Sequence, residues 1–279
     1  MAQIATEKSG IIKQGRPVVL APQEDSARKV VETIAKDRSA PITIIGEDLH
    51  YTSLEHSFSG QTVQLWGSTD QQKMDELIEH PEETSWQPIT LKLPLLGYHQ
   101  VQNAATAYAA IEIARGEGVK ISDAAIKEGF ASVEWPGRFE IINQEPLIVV
   151  DSAHNLDSAL KLRLALDDYI GDRKVALIFG ASEDKDIKGM FSVLIPRVTH
   201  LIATQSTHPR AMLANKLVEL AHQFGRSATA TLDIGEALTK AVELAKGDEV
   251  IIVAGSIFVA AAAREEWFKM TSTPNKQNT

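Results

Sequence analysis

The 279-residue chain contains no cysteine, which excludes disulfide bonds and thiolate metal sites. It also has no long hydrophobic run. The apolar stretches at residues 250–254 and 257–263 are far shorter than the roughly 20 residues of a membrane span. The first ten residues, MAQIATEKSG, lack the apolar segment of a signal peptide. These absences predict a soluble cytoplasmic protein with no membrane partner.

Basic residues are in the minority, with 28 Lys and Arg against 37 Asp and Glu and a formal net charge of −9. Nucleic acids and anionic membranes attract clustered Lys and Arg, so this balance argues against both and favours a small-molecule partner. Several strong motifs are also absent: the chain has no GxGxxG, HExxH or GxSxG segment. It also has no GxxxxGK(S/T) loop, so these 279 residues carry no phosphate loop of that type.

The residues that are present are those of a folded protein, with 44% hydrophobic and 23% charged side chains and a length that predicts two domains. In the second half, apolar runs typical of strands alternate with amphipathic helical stretches. Strands of this kind are buried on both faces, which predicts a mainly parallel sheet between two layers of helices. The predicted strands are residues 147–150, 174–179, 200–203, 228–231 and 249–253, and the predicted helices are residues 156–169, 187–195, 210–223, 234–245 and a final helix after Ser256.

The first half is less regular, although it too has an α/β pattern. A helix end is predicted at residues 4–10, a strand at 17–20 and helices at 25–36, 99–114 and 122–130. Short alternating runs, such as residues 57–65 and 89–93, predict antiparallel strands. The segment 134–145, which contains Pro136 and Gly137, interrupts the pattern. We therefore predict one domain over residues 1–134 and another over residues 135–279.

Polar residues follow the predicted strands of the second domain, where an open parallel sheet binds its ligands. Because these loops meet at the carboxyl edge, we expect one cleft to contain Asp151, His154, Lys185, Arg210 and Ser256. Each loop has a simpler interpretation, since Asp151 and Ser256 could equally cap the helices that follow them. In the first domain, His99 and Asn103 lie one turn apart on a helix and are more simply a satisfied buried pair, and Lys8 is by itself a charged helix end.

Seven short segments of the chain form an ordered set. They are residues 4–13 (IATEKSGIIK), 93–105 (LPLLGYHQVQNAA), 135–140 (WPGRFE), 151–155 (DSAHN), 184–186 (DKD), 209–211 (PRA) and 255–256 (GS). In this order they resemble the motifs of the folylpolyglutamate synthase and dihydrofolate synthase family, a branch of the Mur ligase superfamily. The resemblance implies a partial central ATP-binding domain over residues 1–134, followed by a Rossmann-like C-terminal domain.

The resemblance also implies an ATP-dependent amide ligation. In this family ATP, with Mg²⁺, phosphorylates a carboxylate of folate or dihydropteroate, and the amine of L-glutamate attacks the acyl phosphate. Nucleotide binds between the two domains, where Asn103 would contact adenine, Asp151 the ribose and Arg138 the phosphates. His154 and Ser256 would lie near the incoming L-glutamate. Lys8 matches the lysine that becomes a carbamate in this family and would then ligate Mg²⁺.

The chain departs from the family pattern in three places beside these motifs: Ser9 stands for alanine, Ser152 for glycine and Leu156 for proline. A larger departure is that the resemblance begins near the lysine segment. We therefore expect the phosphate loop to lie in a missing N-terminal segment or chain, and the 279 residues alone to be inactive.

Two other functions compete with the ligase. In one, the chain is a catalytically dead binding module or one half of a split enzyme. In the other, it is a Mur ligase acting on peptidoglycan precursors, which the WPGRFE and DKD segments disfavour. A GTNGKGS-like segment encoded in frame upstream would support the truncated folate ligase.

Overall fold

The computed structural model describes residues 2–245 and 248–272. None of the helices in these ranges is long and apolar enough to cross a membrane. The chain divides into two compact units, of which the first comprises Met1–Pro94 and Tyr98–Val133 and the second comprises Leu95–Gly97 and Glu134–Thr279.

The first unit contains two small sheets and the helices that surround them. Strands β1 and β2 form a 2-stranded parallel sheet, and β3, β4 and β5 form a 3-stranded antiparallel sheet in that order. In chain order, the elements of this unit are α1 (Ala2–Lys8), β1 (Val18–Leu20), α2 (Asp25–Asp37), β2 (Ile42–Ile44), β3 (Leu49–Ser57), β4 (Gly60–Gly67), α3 (Gln71–Glu79), β5 (Ile89–Leu93), α4 (Tyr98–Gly116) and α5 (Asp123–Ala131).

The antiparallel sheet buries one face. Along β4, the fully buried Val63 and Leu65 alternate with half-buried residues, as expected for a strand with one covered side. The predicted antiparallel strands are therefore confirmed, but β4 begins at Gly60 because residues 57–60 form the hairpin turn. The sequence interpretation overlooked α3. This nine-residue helix is short and polar apart from a few residues such as the buried Met74, so its charged residues were interpreted as a solvated face.

The second unit is built on a 6-stranded sheet in the order β10-β9-β8-β11-β7-β6. Adjacent strands are parallel except for β6, which pairs with β7 antiparallel. In chain order, the elements are β6 (Glu140–Gln144), β7 (Leu147–Val150), α6 (Leu156–Ile170), β8 (Val175–Phe179), α7 (Ile187–Leu194), β9 (Val198–Ala203), α8 (Ala214–Gln223), β10 (Ala228–Ala230), α9 (Ile234–Leu244), β11 (Val250–Ala254) and α10 (Ile257–Ser272).

Two hydrophobic cores cover the two faces of this sheet. Val149 of β7 packs in one core with Leu162 of α6, and α7 and α8 contribute to the same core. Ile148, the neighbouring residue of β7, points to the other core, where Leu238 of α9 and Trp267 of α10 pack. The predicted three-layer fold with a mainly parallel sheet is confirmed.

One strand of the second unit contradicts the sequence interpretation. Residues 134–145 were predicted to interrupt the α/β pattern, but β6 lies inside this segment and forms the edge of the sheet. Its first four residues are half-buried and Gln144 is exposed, so the strand lacks the uniform apolar character of the central strands. An irregularity in its pairing with β7, between Ile141 and Asn143, also interrupts the alternation of side chains between the two faces of the sheet.

Candidate functional site

The carboxyl edge of the second sheet brings Asp151 and Ser256 together. They follow β7 and β11, which are parallel neighbours. The two loops are also bonded to each other, because the Gly255 amide donates a hydrogen bond to the Ala153 carbonyl at 2.9 Å. Lys185 and Arg210 follow β8 and β9 at the same edge. The strand order therefore places all the predicted loops on one side of the sheet.

Asp151 is buried, with 7% of its surface exposed. Its carboxylate accepts hydrogen bonds from the Phe139 and Ala153 amides, both at 2.8 Å. Burial raises the pKa of Asp151 above its ordinary value, and these two hydrogen bonds and the nearby Arg138 and His154 offset part of that effect. Asp151 is thus an anchor for the backbone around it, and the alternative that it caps α6 is wrong, since Asn155 caps that helix.

The segment that Asp151 anchors is a tight turn that carries Arg138. Gly137 has φ +73° and Phe139 has φ +45°, so a non-glycine residue occupies the left-handed region. Strain of this kind persists only where surrounding contacts enforce it. Here Phe139 is buried against Tyr169, with ring centroids 5.6 Å apart, and its amide is held by Asp151. The turn leaves the Arg138 side chain half-exposed beside the carboxyl edge.

His154 is held in one tautomer by the same loop. Its Nδ1 lies 3.0 Å from the Ser152 carbonyl, which can only accept, so Nδ1 carries a proton. Its backbone amide donates to Ser158 Oγ at 2.9 Å. In the neutral ring, Nε2 is therefore a hydrogen-bond acceptor.

Ser256 begins α10. It is 8% exposed, and its Oγ accepts a hydrogen bond from the Val259 amide at 3.1 Å. The capping interpretation is therefore confirmed for Ser256. A capping hydroxyl still has its proton, so this residue can also donate a hydrogen bond to a ligand.

Two glycines allow three strand ends to meet at this edge. A Cβ atom on Gly180, after β8, would lie 2.6 Å from the Thr204 carbonyl oxygen that follows β9. A Cβ on Gly255, after β11, would lie 2.6 Å from the Gly180 carbonyl oxygen, and Gly255 has φ +110°. The backbones are in direct contact at these positions, so only glycine fits without displacement.

A second group of polar residues follows β8 and β9. Asp184 Oδ2 lies 3.4 Å from Lys185 Nζ and 3.5 Å from Arg210 Nη1. The two loops pair directly, because the Glu183 amide donates to the Arg210 carbonyl at 2.9 Å. The pKa of Asp184 is below its ordinary value: desolvation of the carboxylate opposes this shift, but the hydrogen bond from Lys185 and the charges of Lys185 and Arg210 outweigh it.

The sequence analysis assigned no role to Phe258. This residue links the start of α10, beside Ser256, to the loop after β9 that carries His208. Its ring stacks on His208 with centroids 4.6 Å apart and an angle of 23° between the planes. Phe258 is 47% exposed although it lies in the first turn of α10, beside the buried Ser256. An aromatic residue two positions after Ser256, in the first turn of a predicted helix, is the signal that could have identified it.

Lys8 and Asn103 belong to the first unit, on α1 and α4 respectively. The Lys8 side chain is 76% exposed and lies 3.6 Å from Glu7. Asn103 is exposed and donates to Gln100 at 2.9 Å, while His99 is half-buried. The alternative that His99 and Asn103 are a buried pair is therefore wrong.

The residues present do not complete a metal site. In the described part of the chain, no group of three or more His, Asp or Glu side chains could hold a metal ion. Lys8 is accessible for carbamylation, but a carbamate there would supply only one side chain toward Mg²⁺.

Comparisons with known proteins identify the domain to which most of the second unit is similar. Residues 137–257 match the Mur ligase, glutamate ligase domain. The dihydrofolate synthase/folylpolyglutamate synthase of Bacillus subtilis is 28% identical over 94% of this chain and 57% of its own length. This chain thus spans little more than half the length of that curated relative.

Solved structures of folylpolyglutamate synthases are also similar to this chain over nearly all of its length. The folylpolyglutamate synthase of Thermotoga maritima has a TM-score of 0.74 at 28% identity, covering 99% of this chain and 59% of that one. A Mycobacterium tuberculosis folylpolyglutamate synthase complexed with ADP has a TM-score of 0.79 at 26% identity, covering 96% and 59%. Together with the ordered motifs and the three-layer fold, these similarities relate the chain to folylpolyglutamate synthases and dihydrofolate synthases, and its residues 137–257 to the glutamate ligase domain of Mur ligases.

Proposed function

We propose that this chain is part of an ATP-dependent ligase that adds L-glutamate to folate or dihydropteroate through an acyl phosphate. The first unit is then part of the central ATP-binding domain, within residues 1–134, and the second is the C-terminal domain of residues 135–279. The observation that carries the proposal is the carboxyl edge. There the buried Asp151 anchors the strained turn that presents Arg138, beside the Ser256 helix start.

Each site residue has a distinct task in this proposal. Arg138 binds the anionic phosphates of ATP, since its guanidinium offers several donors from a fixed turn. Asp151 holds that turn and faces the ribose. Asn103 contacts adenine. His154, with Nε2 as an acceptor, and Ser256, with a free hydroxyl proton, serve the incoming L-glutamate.

We further propose that Lys8 acts as a carbamate that contributes a ligand to Mg²⁺. Its high exposure and its position at the end of α1 allow this modification. When bound, the metal would neutralise phosphate charge. The described residues do not complete a site around it, so the remaining metal ligands would come from elsewhere in the complete enzyme.

Nucleotide binding by the purified chain tests the proposal directly. We expect calorimetry to detect binding of ATP with Mg²⁺, and Arg138→Ala to weaken it about tenfold or more, because hydrogen bonds to charged groups contribute about 1.5–3 kcal/mol. Arg163→Ala is the matched control, since Arg163 lies on α6 and pairs with Asp167 there. Absence of nucleotide binding, or equal effects of the two substitutions, would overturn the assignment.

Ligation by the chain alone tests its dependence on a phosphate loop. We expect no product from folate or dihydropteroate, L-glutamate and ATP with Mg²⁺, because the 279 residues contain no GxxxxGK(S/T) loop to cradle the β- and γ-phosphates. Turnover by a clean preparation would contradict this. Activity gained when a separately expressed phosphate-loop segment is added would favour the split enzyme, and nucleotide binding that never leads to ligation would favour the dead binding module.

A further inference from the structure

His208 and Phe258 form an aromatic pair at the rim of the carboxyl edge. The rings are stacked at 4.6 Å, so Phe258 fixes the plane of the imidazole. The backbone of the same loop is fixed as well, because the Ala211 amide donates to the His208 carbonyl at 2.9 Å. His208 is thus held in one orientation from two sides while remaining half-exposed.

The tautomer of His208 follows from one hydrogen bond. The Arg210 amide donates to His208 Nδ1 at 3.2 Å, so Nδ1 must be an acceptor and the ring proton of the neutral form lies on Nε2. This tautomer is opposite to that of His154, whose Nδ1 carries the proton. The same edge therefore presents one imidazole that accepts through Nε2 and another that donates through Nε2.

The surroundings of His208 favour a negatively charged ligand. Arg210 lies two residues away, and its exposed guanidinium shares Asp184 with Lys185. One carboxylate thus faces two cations, which leaves positive charge available. No hydrogen-bond partner of His208 Nε2 is seen in the described ranges 2–245 and 248–272. A carboxylate is the chemical group that a fixed N–H donor and a nearby guanidinium bind together.

We propose that His208 is a specificity-determining residue that donates its Nε2 proton to a carboxylate of the incoming amino acid. Phe258 positions the ring, and Arg210 adds charge. This inference rests on the proposed function, and it extends the amino-acid site from Ser256 along the first turn of α10 to the loop after β9. The interaction is reversible binding and involves no bond rearrangement of His208.

The experiment uses the purified 279-residue chain and L-glutamate. Nitrogen-15 spectra of the histidine side chains should show the Nε2–H tautomer for His208, and L-glutamate should shift its Nε2 resonance. His208→Phe keeps an aromatic ring against Phe258 but removes the donor. We expect it to weaken L-glutamate binding by about ten- to a hundredfold, the range of a hydrogen bond to a charged group.

Three controls distinguish this role from a structural one. His222→Phe, on the exposed surface of α8, should leave binding unchanged. His208→Gln, which restores an N–H donor, should recover part of the affinity. The dimethyl ester of L-glutamate, which has no carboxylate, should bind weakly to the wild type and should be insensitive to His208→Phe.

Unchanged L-glutamate affinity in His208→Phe would overturn the inference, as would an Nδ1–H tautomer. Equal weakening of L-glutamate and its dimethyl ester would also overturn it, since packing alone would then explain the loss. These results are separable from a failure of the proposed function. A wild-type chain that binds ATP with Mg²⁺ but not L-glutamate contradicts only the amino-acid site, whereas a chain that binds neither contradicts the ligase assignment.

Discussion

The two units differ most in how their strands are buried. Every residue of β11 in the second unit is fully buried, as expected for a central strand between two layers of helices. Every residue of β2 in the first unit is only half-buried, and this strand belongs to a sheet of two strands. A two-stranded sheet has marginal stability by itself, whereas a six-stranded sheet with two cores supports itself. The second unit thus has the properties of a rigid scaffold.

Truncation of matched strand residues should show this difference most strongly. Leu201 of β9 is fully buried, so Leu201→Ala should lower the free energy of unfolding of the second unit by about 2–5 kcal/mol. Ile44 of β2 is half-buried, so Ile44→Ala should cost the first unit less than about 2 kcal/mol. Urea unfolding monitored by hydrogen exchange in each unit measures both. Equal losses of unfolding free energy would show that side-chain burial stabilises the two sheets to the same extent.

Substitution at the glycine contacts should have the next largest effect. Gly255→Ala adds a Cβ 2.6 Å from the Gly180 carbonyl oxygen at φ +110°, which should cost about 2–4 kcal/mol of unfolding free energy. Gly225→Ala is the matched control, because Gly225 has φ +70° but no atom within 4 Å of the added Cβ. It should cost only the backbone strain, about 1–2 kcal/mol. A Gly225 variant as unstable as the Gly255 variant would show that the close backbone contact contributes nothing.

Asp151→Asn should have the smallest effect, and one that depends on pH. The amide retains one acceptor for the Phe139 and Ala153 amides, so the substitution should cost about 1–3 kcal/mol. Because burial raises the pKa of Asp151, the folded wild type binds more protons than the unfolded chain between the ordinary pKa and the raised one. This contribution to wild-type stability is complete below the ordinary pKa and is lost as pH rises through the raised one.

The penalty of Asp151→Asn relative to the wild type should therefore shrink as pH increases through that window. Urea unfolding of both proteins at a series of pH values measures the difference. A penalty that grows with pH would indicate that the two amide hydrogen bonds outweigh burial of the charge.

The central strands and most helices of the second unit could be predicted from the sequence, because their buried residues form continuous or periodic apolar patterns. Both ends of the strand Leu147–Val150 were predicted correctly, because four consecutive apolar residues indicate a strand that is buried on both faces. β6 could not be predicted, because an edge strand is half-buried and its polar residues resemble a loop. For the same reason α3, with little buried surface beyond Met74, was not seen.

The candidate site was predictable in its location and less so in its internal roles. Strand ends reveal which residues meet at an edge, so Asp151 and Ser256 could be placed together. Local hydrogen bonds cannot be read from residue order. Asp151 binds backbone amides and Asn155 caps α6, and no sequence pattern separates these two tasks. The stacking of His208 on Phe258 joins residues 50 positions apart and depends on the fold alone.

The contact between Gly180 and Gly255 has a mechanical consequence. A side chain can rotate away from a neighbour, whereas two backbones in contact cannot. Displacement of one backbone is therefore passed to the other, so the segments after β8, β9 and β11 move as one rigid unit. A ligand that immobilises one of these segments lowers the entropy that a second ligand must remove from the others. A ligand on the loop after β9, which carries His208, would then favour binding of a second ligand at the Ser256 loop after β11 without any visible change in shape.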